Sequence, residues 1–284
     1  MYVDLSNMYS GFSDRLRQLT FCIAYEQLQN KDFKIVEIYE KKNKESPFYI
    51  SELIEIKNFK IKNVKKKNIK TIKMDPFNSE ISIKNCYKYN TKNLDNRKLL
   101  QEWKKTYQIL KPKKKIKFKL DKIIKNKKYV SIHIRLTDKL VNFKNYFLEI
   151  PTKDVIYFKQ FKEFMNNIEN LIPGKYKYIY LCSDENIFKK KLKEKLKNKF
   201  KFIEKNIKFN KKKFRQTSGE DFIIDLFAMS KSSLIISSTG GNVPYSSNLI
   251  SGVKQNYIKW INYKFKYRFF YKIRQVIFNI RNLY

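Results

Sequence analysis

Tyr129-Val-Ser-Ile-His-Ile-Arg135 alternates β-branched with polar residues, the pattern of a strand, and runs directly into Leu136-Thr-Asp-Lys139. The stretch from His133 to Lys139 thus gathers one imidazole, one guanidinium, one carboxylate and one ammonium at a strand end. His133 is the only histidine of the chain. Side chains two apart share a face of a strand, so His133 and Arg135 can point at one ligand, and a diphosphate suits the space between them and a helix N-terminus. Spacing alone leaves a second reading open, in which His133 is a core histidine and Arg135 pairs with Asp138.

Downstream of that stretch the rhythm is strand, helix, strand, helix. Tyr176 to Cys182 reads as an apolar strand ending in Ser183-Asp-Glu185 and followed by a Lys-rich helix, and Phe200 to Glu204 reads as a third strand. Asp221 to Ser230 carries Phe222, Ile223, Leu226, Phe227 and Met229 at helical spacing, and Ser233 to Ser238 reads as a buried strand. Such alternation predicts a parallel sheet with helices on both faces and a ligand beyond the carboxyl ends of the strands.

Upstream, Gly11-Phe-Ser-Asp-Arg-Leu-Arg17 reads as a loop opening into a helix whose Leu16, Leu19 and Ile23 recur at helical spacing. Phe33 to Tyr39 alternates as a strand. Residues 41–128 are Lys-rich with short apolar runs such as Ile50 to Ile56, and Lys111 to Lys128 is almost all Lys and Ile. The expected class is α/β with two domains. The expected boundaries are an N-terminal α/β domain over 1–126, a second α/β domain over 127–255, and a basic aromatic tail over 256–284.

Sixty-three Lys and Arg stand against 26 Asp and Glu among 284 residues, a formal net charge of +37. A field of that sign attracts any polyanion, whether nucleic acid, anionic bilayer or phosphorylated sugar, so it narrows the partner without naming the chemistry. Only eight of the 63 are Arg, at 15, 17, 97, 135, 215, 268, 274 and 281. Arg offers a rigid planar fork that grips phosphate through two parallel hydrogen bonds, which Lys cannot copy; positions that hold Arg amid so much Lys therefore point to that need. The three cysteines, Cys22, Cys86 and Cys182, are odd in number and widely spaced, which fits neither a disulfide framework nor a zinc cluster. No signal-peptide pattern opens the chain and no run of about 18 apolar residues occurs, so the expected location is cytoplasmic, or peripheral on the inner face of the membrane.

His133-Ile-Arg-Leu-Thr-Asp-Lys139 resembles the donor-binding motif of α-1,6-fucosyltransferases, including the nodulation fucosyltransferases, and is more distantly similar to that of α-1,2-fucosyltransferases. Tyr180-Leu-Cys-Ser-Asp-Glu185, Ile223-Ile-Asp-Leu-Phe-Ala-Met-Ser230, Ser238-Thr-Gly-Gly-Asn242 and the N-terminal Gly11, Asp14, Arg15 and Arg17 continue the resemblance in family order over about half the chain. It implies two Rossmann-like domains in the manner of GT-B glycosyltransferases, with 1–126 on the acceptor side and 127–255 binding the nucleotide sugar. It also implies a GDP-sugar donor, GDP-fucose first of all, with Arg135 on the β-phosphate, His133 and Lys139 beside it, and Asp225 accepting from guanine N1 and N2. Ser238, Thr239, Gly240 and Gly241 would line the diphosphate. It also implies inverting transfer to a glycan or lipid-linked glycan hydroxyl without metal or other cofactor. Three departures stand out: Gly241 where the family has Ser, Leu136 where it usually has Arg, and Phe143 where the α-1,6 enzymes place a Glu. With that Glu absent, the base that takes the acceptor proton is open among Glu149, Asp138 and Asp14.

From Phe269 on, Phe270, Ile273, Val276, Ile277 and Ile280 keep helical spacing amid Lys and Arg. The tail therefore reads either as an amphipathic helix for an anionic membrane surface or as a closing helix packed on the protein. Two rivals to the transferase remain: a nucleic-acid or polyanion binder without catalysis, and a degenerate transferase that binds donor without turnover.

Overall fold

The computed structural model describes residues 2–4, 12–28, 34–38, 50–57, 59, 61–64, 96–135, 140–141, 156–183, 186–205, 219–238 and 242–257. The chain divides into two compact units that are discontinuous in sequence. The first takes Met1–Asn126, Lys205–Lys231 and Tyr245–Val253, and the second Lys127–Glu204, Ser232–Pro244 and Lys254–Tyr284.

In the first unit, β1 (Tyr2–Asp4), α1 (Phe12–Leu28) and β2 (Lys34–Ile38) form a β-α-β crossover, because β1 and β2 pair in parallel with Val3 opposite Ile35. A short helix α2 (Ile50–Leu53) leads into β3 (Ile54–Ile56), and β4 (Ile61–Val64) adds to the other side of β2, also parallel. Next come α3 (Asn96–Gln108), β5 (Leu110–Pro112), which pairs antiparallel with β3, and α4 (Lys114–Ile124). Lys111 to Lys128, legible in the sequence only as a Lys- and Ile-rich lead-in, holds a helix because Ile116, Leu120 and Ile124 fall four apart and all three are buried.

The stripe Leu16, Leu19 and Ile23 of α1 is fully buried, and α1 packs along α3. Their contact holds a polar pin, since Trp103 Nε1 donates to Thr20 Oγ1 at 3.0 Å while the same hydroxyl lies 2.9 Å from the carbonyls of Leu16 and Arg17. One turn on, the Tyr107 ring meets Trp103 edge-on at 5.8 Å. The hydroxyls of Thr20 and Ser246 face the Tyr107 oxygen without meeting strict hydrogen-bond geometry.

The second unit is a parallel sheet. Its strands in chain order are β6 (Tyr129–Ile134), β9 (Tyr178–Ser183), β10 (Lys201–Ile203), β11 (Leu234–Ser237) and β12 (Gln255–Tyr257), and in space they run β10-β9-β6-β11-β12. Between β6 and β9 lie two short paired strands, β7 (Leu140–Val141) and β8 (Ile156–Tyr157), then α5 (Phe158–Asn167) and a single 3-10 turn. The helix α6 (Asn186–Leu196) joins β9 to β10. In the sequence α7 (Gly219–Ser230) precedes β11 and α8 (Asn242–Ser251) follows it, but α7 and the part of α8 from Tyr245 on belong to the first unit. A continuous apolar core runs through Val130, Ile132, Ile134, Ile179, Leu181 and Ile236 on the strands and Phe164, Leu192 and Leu196 on the helices. The expected α/β class with a parallel sheet is therefore the one that forms. Strand order is that of a doubly wound, Rossmann-type sheet: the chain builds outward from β6 to β10, then returns past β6 to lay down β11 and β12 on the other side.

Burial pushes the Tyr107 hydroxyl up to about 12. The unfolded chain ionises this group near pH 10, so its contribution to stability is complete below that pH and is lost as pH rises toward about 12. Tyr107→Phe removes the titration while leaving every lysine in place. Urea unfolding at pH 8 and pH 11 should show wild type losing about 1 kcal/mol more than the variant between the two, and equal losses would count against a buried Tyr107.

Candidate donor-binding site

The point where a doubly wound sheet reverses its strand order opens a crevice at the carboxyl ends of two neighbouring strands. Here those strands are β6 and β11. All six residues of β6 are buried, and its register places His133 between Cys182 on β9 and Ser237 on β11. Three strand ends thus lie side by side, carrying Ser183, His133 with Arg135, and Ser237 with Ser238.

The end of β6 is fastened to β11 beyond the regular ladder. Ser238 N–H donates to the His133 carbonyl at 2.9 Å, and Arg135 N–H donates to Ser238 Oγ at 3.2 Å. The His133 ring stands 3.3 Å from Ser237 Oγ through Nδ1. His133 is 8% exposed and both serines are fully buried, whereas Arg135 is half-buried. The Arg135 backbone is thereby fixed at the end of β6. β6 ends at Ile134 rather than at Arg135, so the arginine stands on the first residue past the strand. Lower on β6, burial together with the nearby Cys182 thiol pushes the Tyr129 hydroxyl well above its usual range.

The structure therefore brings together His133, Arg135 and Ser238 of the residues singled out from sequence. Gly11, Asp138, Lys139, Glu149, Thr239, Gly240 and Gly241 lie outside the described residues, as does the tail from residue 258 on. Asp14 and Arg15 belong to the first turn of α1, with their side chains outside the description, while Arg17 is half-buried on the same helix.

Asp225 belongs to the first unit, on α7, with its side chain 15% exposed. Helical spacing puts Asp221 and Asp225 on one face, and Lys205 Nζ lies 2.7 Å from Asp225 Oδ1 and 2.7 Å from the Asp221 carbonyl. Sequence reasoning missed Lys205. The i,i+4 pair of carboxylates was the one signal that a buried cation would be needed there. Among the described residues no group of three His, Cys, Asp or Glu is placed to hold a metal ion, and no helix is long and apolar enough to cross a membrane.

Comparison with solved structures gives this geometry a context. POFUT1 in complex with GDP superimposes over 90% of this chain and 97% of its own, with a TM-score of 0.54 at 11% sequence identity. POFUT1 in complex with GDP-fucose does so over 90% and 96%, with a TM-score of 0.53 at 10% identity. The fold of this chain is therefore like that of POFUT1. NodZ from Bradyrhizobium, a fucosyltransferase, also aligns, over 88% of this chain and 92% of its own, with a TM-score of 0.48 at 12% identity. No family model matches the sequence, and no curated protein matches it. The likeness to POFUT1 thus rests on shape rather than on sequence identity, and the residues at the switch point must be judged on their own geometry.

Ser238→Ala removes the acceptor of the Arg135 amide inside a buried setting. Urea unfolding should show a loss of about 1 kcal/mol; an unchanged midpoint would mean that the β6–β11 fastening does not depend on this hydroxyl.

Proposed function

We propose that this protein is an inverting, metal-independent glycosyltransferase that moves fucose from GDP-fucose to a hydroxyl of a glycan or lipid-linked glycan. The observation that carries the reading is the placement of Arg135, His133 and Ser238 together at the carboxyl ends of β6 and β11, where the strand order reverses. The likeness of fold to POFUT1, solved with GDP and with GDP-fucose, supports it.

In this reading Arg135 grips the β-phosphate through its fork, and the chain from Ser238 to Gly241 offers hydroxyls and backbone N–H groups to the diphosphate. Asp225 accepts from guanine N1–H and N2–H. The acceptor oxygen attacks the anomeric carbon of the sugar from the side opposite the diphosphate. The bond from that carbon to the β-phosphate oxygen breaks with its electron pair, GDP departs, and the acceptor proton passes to a carboxylate, with Asp138, Glu149 and Asp14 the candidates. Arg135 and Lys139 offset the charge that builds on the leaving phosphate, the task a divalent ion performs in other transferases. The tail over 256–284 supplies an anionic-membrane contact near a lipid-linked acceptor.

Calorimetric titration without metal tests the reading. GDP and GDP-fucose should bind and UDP should bind far more weakly, and Arg135→Ala should weaken GDP by about 100-fold, as expected for loss of a charge-assisted double hydrogen bond. Equal, steeply salt-dependent binding of all nucleotides would replace the transferase with a polyanion binder. Donor binding without transfer to any acceptor would identify a degenerate transferase.

A further inference from the structure

The helix α4 (Lys114–Ile124) has two faces of opposite character. Ile116, Leu120 and Ile124 are buried, and within the first unit the helix packs on α7. Phe118 stands two residues from Ile116 and two from Leu120, about 200° around the helix from each, so it points the other way. It is 73% exposed, more than any other large apolar residue among those described.

Lys114 and Lys122 lie four residues before and after Phe118, and Lys115 three before it, which puts all three on its face. Each of them is exposed. The helix as a whole carries five lysines and one aspartate. That aspartate, Asp121, shares the Phe118 face but is held by Lys231 Nζ at 2.8 Å, and Glu220 at the flank pairs with Lys119. Among the described residues no carboxylate pairs with Lys114, Lys115 or Lys122. The outward face is therefore a convex cationic ridge with an aromatic ring at its crest.

A single exposed apolar side chain is ordinary on a protein surface; one ringed by lysines in this way matches a surface that is anionic outside and apolar just beneath. The phenyl ring has no polar atom to satisfy and gains by leaving water. Lysine stems lie along apolar material while their ammonium groups stay at the polar level, and anionic headgroups attract each of them. A second copy of this chain is a poor occupant, because self-pairing would set lysine against lysine. A nucleic-acid duplex offers the charge but no layer for the ring, its bases being stacked inside.

We propose that α4 docks this protein on an anionic lipid surface, with Phe118 inserted at the headgroup boundary and Lys114, Lys115 and Lys122 against the headgroups. The proposal stands apart from the transferase reading, since a chain that bound no nucleotide would still dock.

Sedimentation of the whole chain with lipid vesicles tests it, using phosphatidylcholine alone and an equal mixture with phosphatidylglycerol. Wild type should partition onto the mixed vesicles and stay largely in solution with the neutral ones. Phe118→Ala should weaken that partition by about 10-fold, the worth of withdrawing one aromatic side chain from water. Replacing Lys114, Lys115 and Lys122 together by Gln should weaken it by about 100-fold. All four side chains face water, so melting temperatures should match wild type. Phe118→Trp supplies a local reporter: on mixed vesicles its emission should move further to the blue than that of wild type, whose tryptophans are Trp103 and Trp260. Wild-type partition by the Ala and Gln variants would place the lipid contact elsewhere on the chain, the tail included, and overturn the proposal. A loss with the lysines but none with Phe118, and no added blue shift, would leave a face for polyanions in general and overturn it too. Failure of wild type to sediment with mixed vesicles would overturn it outright.

Discussion

The parallel pairing of β6 with β11 is the constraint from which the candidate site follows. Parallel strands cannot be joined by a tight turn, so the chain must travel from Ile134 through β9 and β10 and come back before Leu234 can pair with Val130. That return puts every carboxyl end of the sheet along one edge and reverses the direction of growth at β6. The last rungs, Ser238 N–H to the His133 carbonyl and Arg135 N–H to Ser238 Oγ, extend the ladder past the point where regular pairing stops. Buried backbone groups must find partners, and these two do so in a way that fixes where the arginine begins. Residues about a hundred positions apart thereby become one site.

Much of this was legible in the sequence because burial on both faces of a parallel sheet demands near-continuous apolar runs. Tyr129 to Ile134, Tyr178 to Ser183 and Leu234 to Ser237 each announce themselves in that way, and Gly219 to Ser230 shows its helical spacing plainly. The helix over Lys114 to Ile124 was hidden for the opposite reason. Its outward face is so uniformly Lys that composition drowned the three apolar positions, Ile116, Leu120 and Ile124, that it actually buries. The antiparallel pairing of Ile54–Ile56 with Leu110–Pro112 left no trace either, since segments this short have too few residues to show a period.

The site divides along the same line. His133, Arg135 and Ser238 could be named from sequence because they sit at the ends of elements that local pattern predicts, and the topology of any parallel sheet gathers such ends. Lys205 could not. One lysine among 55 carries no sign of its neighbours, and what distinguishes it is its burial against Asp221 and Asp225, which no local pattern encodes. The Asp221 and Asp225 spacing shows the half of the ion cluster that lies within one helix and says nothing of the cation that completes it.

A chain of this charge makes the few buried ionic contacts more informative than the many exposed ones. Lys119 with Glu220 and Lys193 with Glu204 are partners of convenience: with cations in such excess, almost any surface carboxylate will find one, at little gain in water. Burying a charged pair is different in kind, because an apolar pair of similar shape would often stabilise the fold as well or better. The contact of Lys205 with Asp225, whose side chains are 4% and 15% exposed, is of that second kind, and removing either partner would leave the other buried without that counter-charge, a loss far larger than any surface pair could cause.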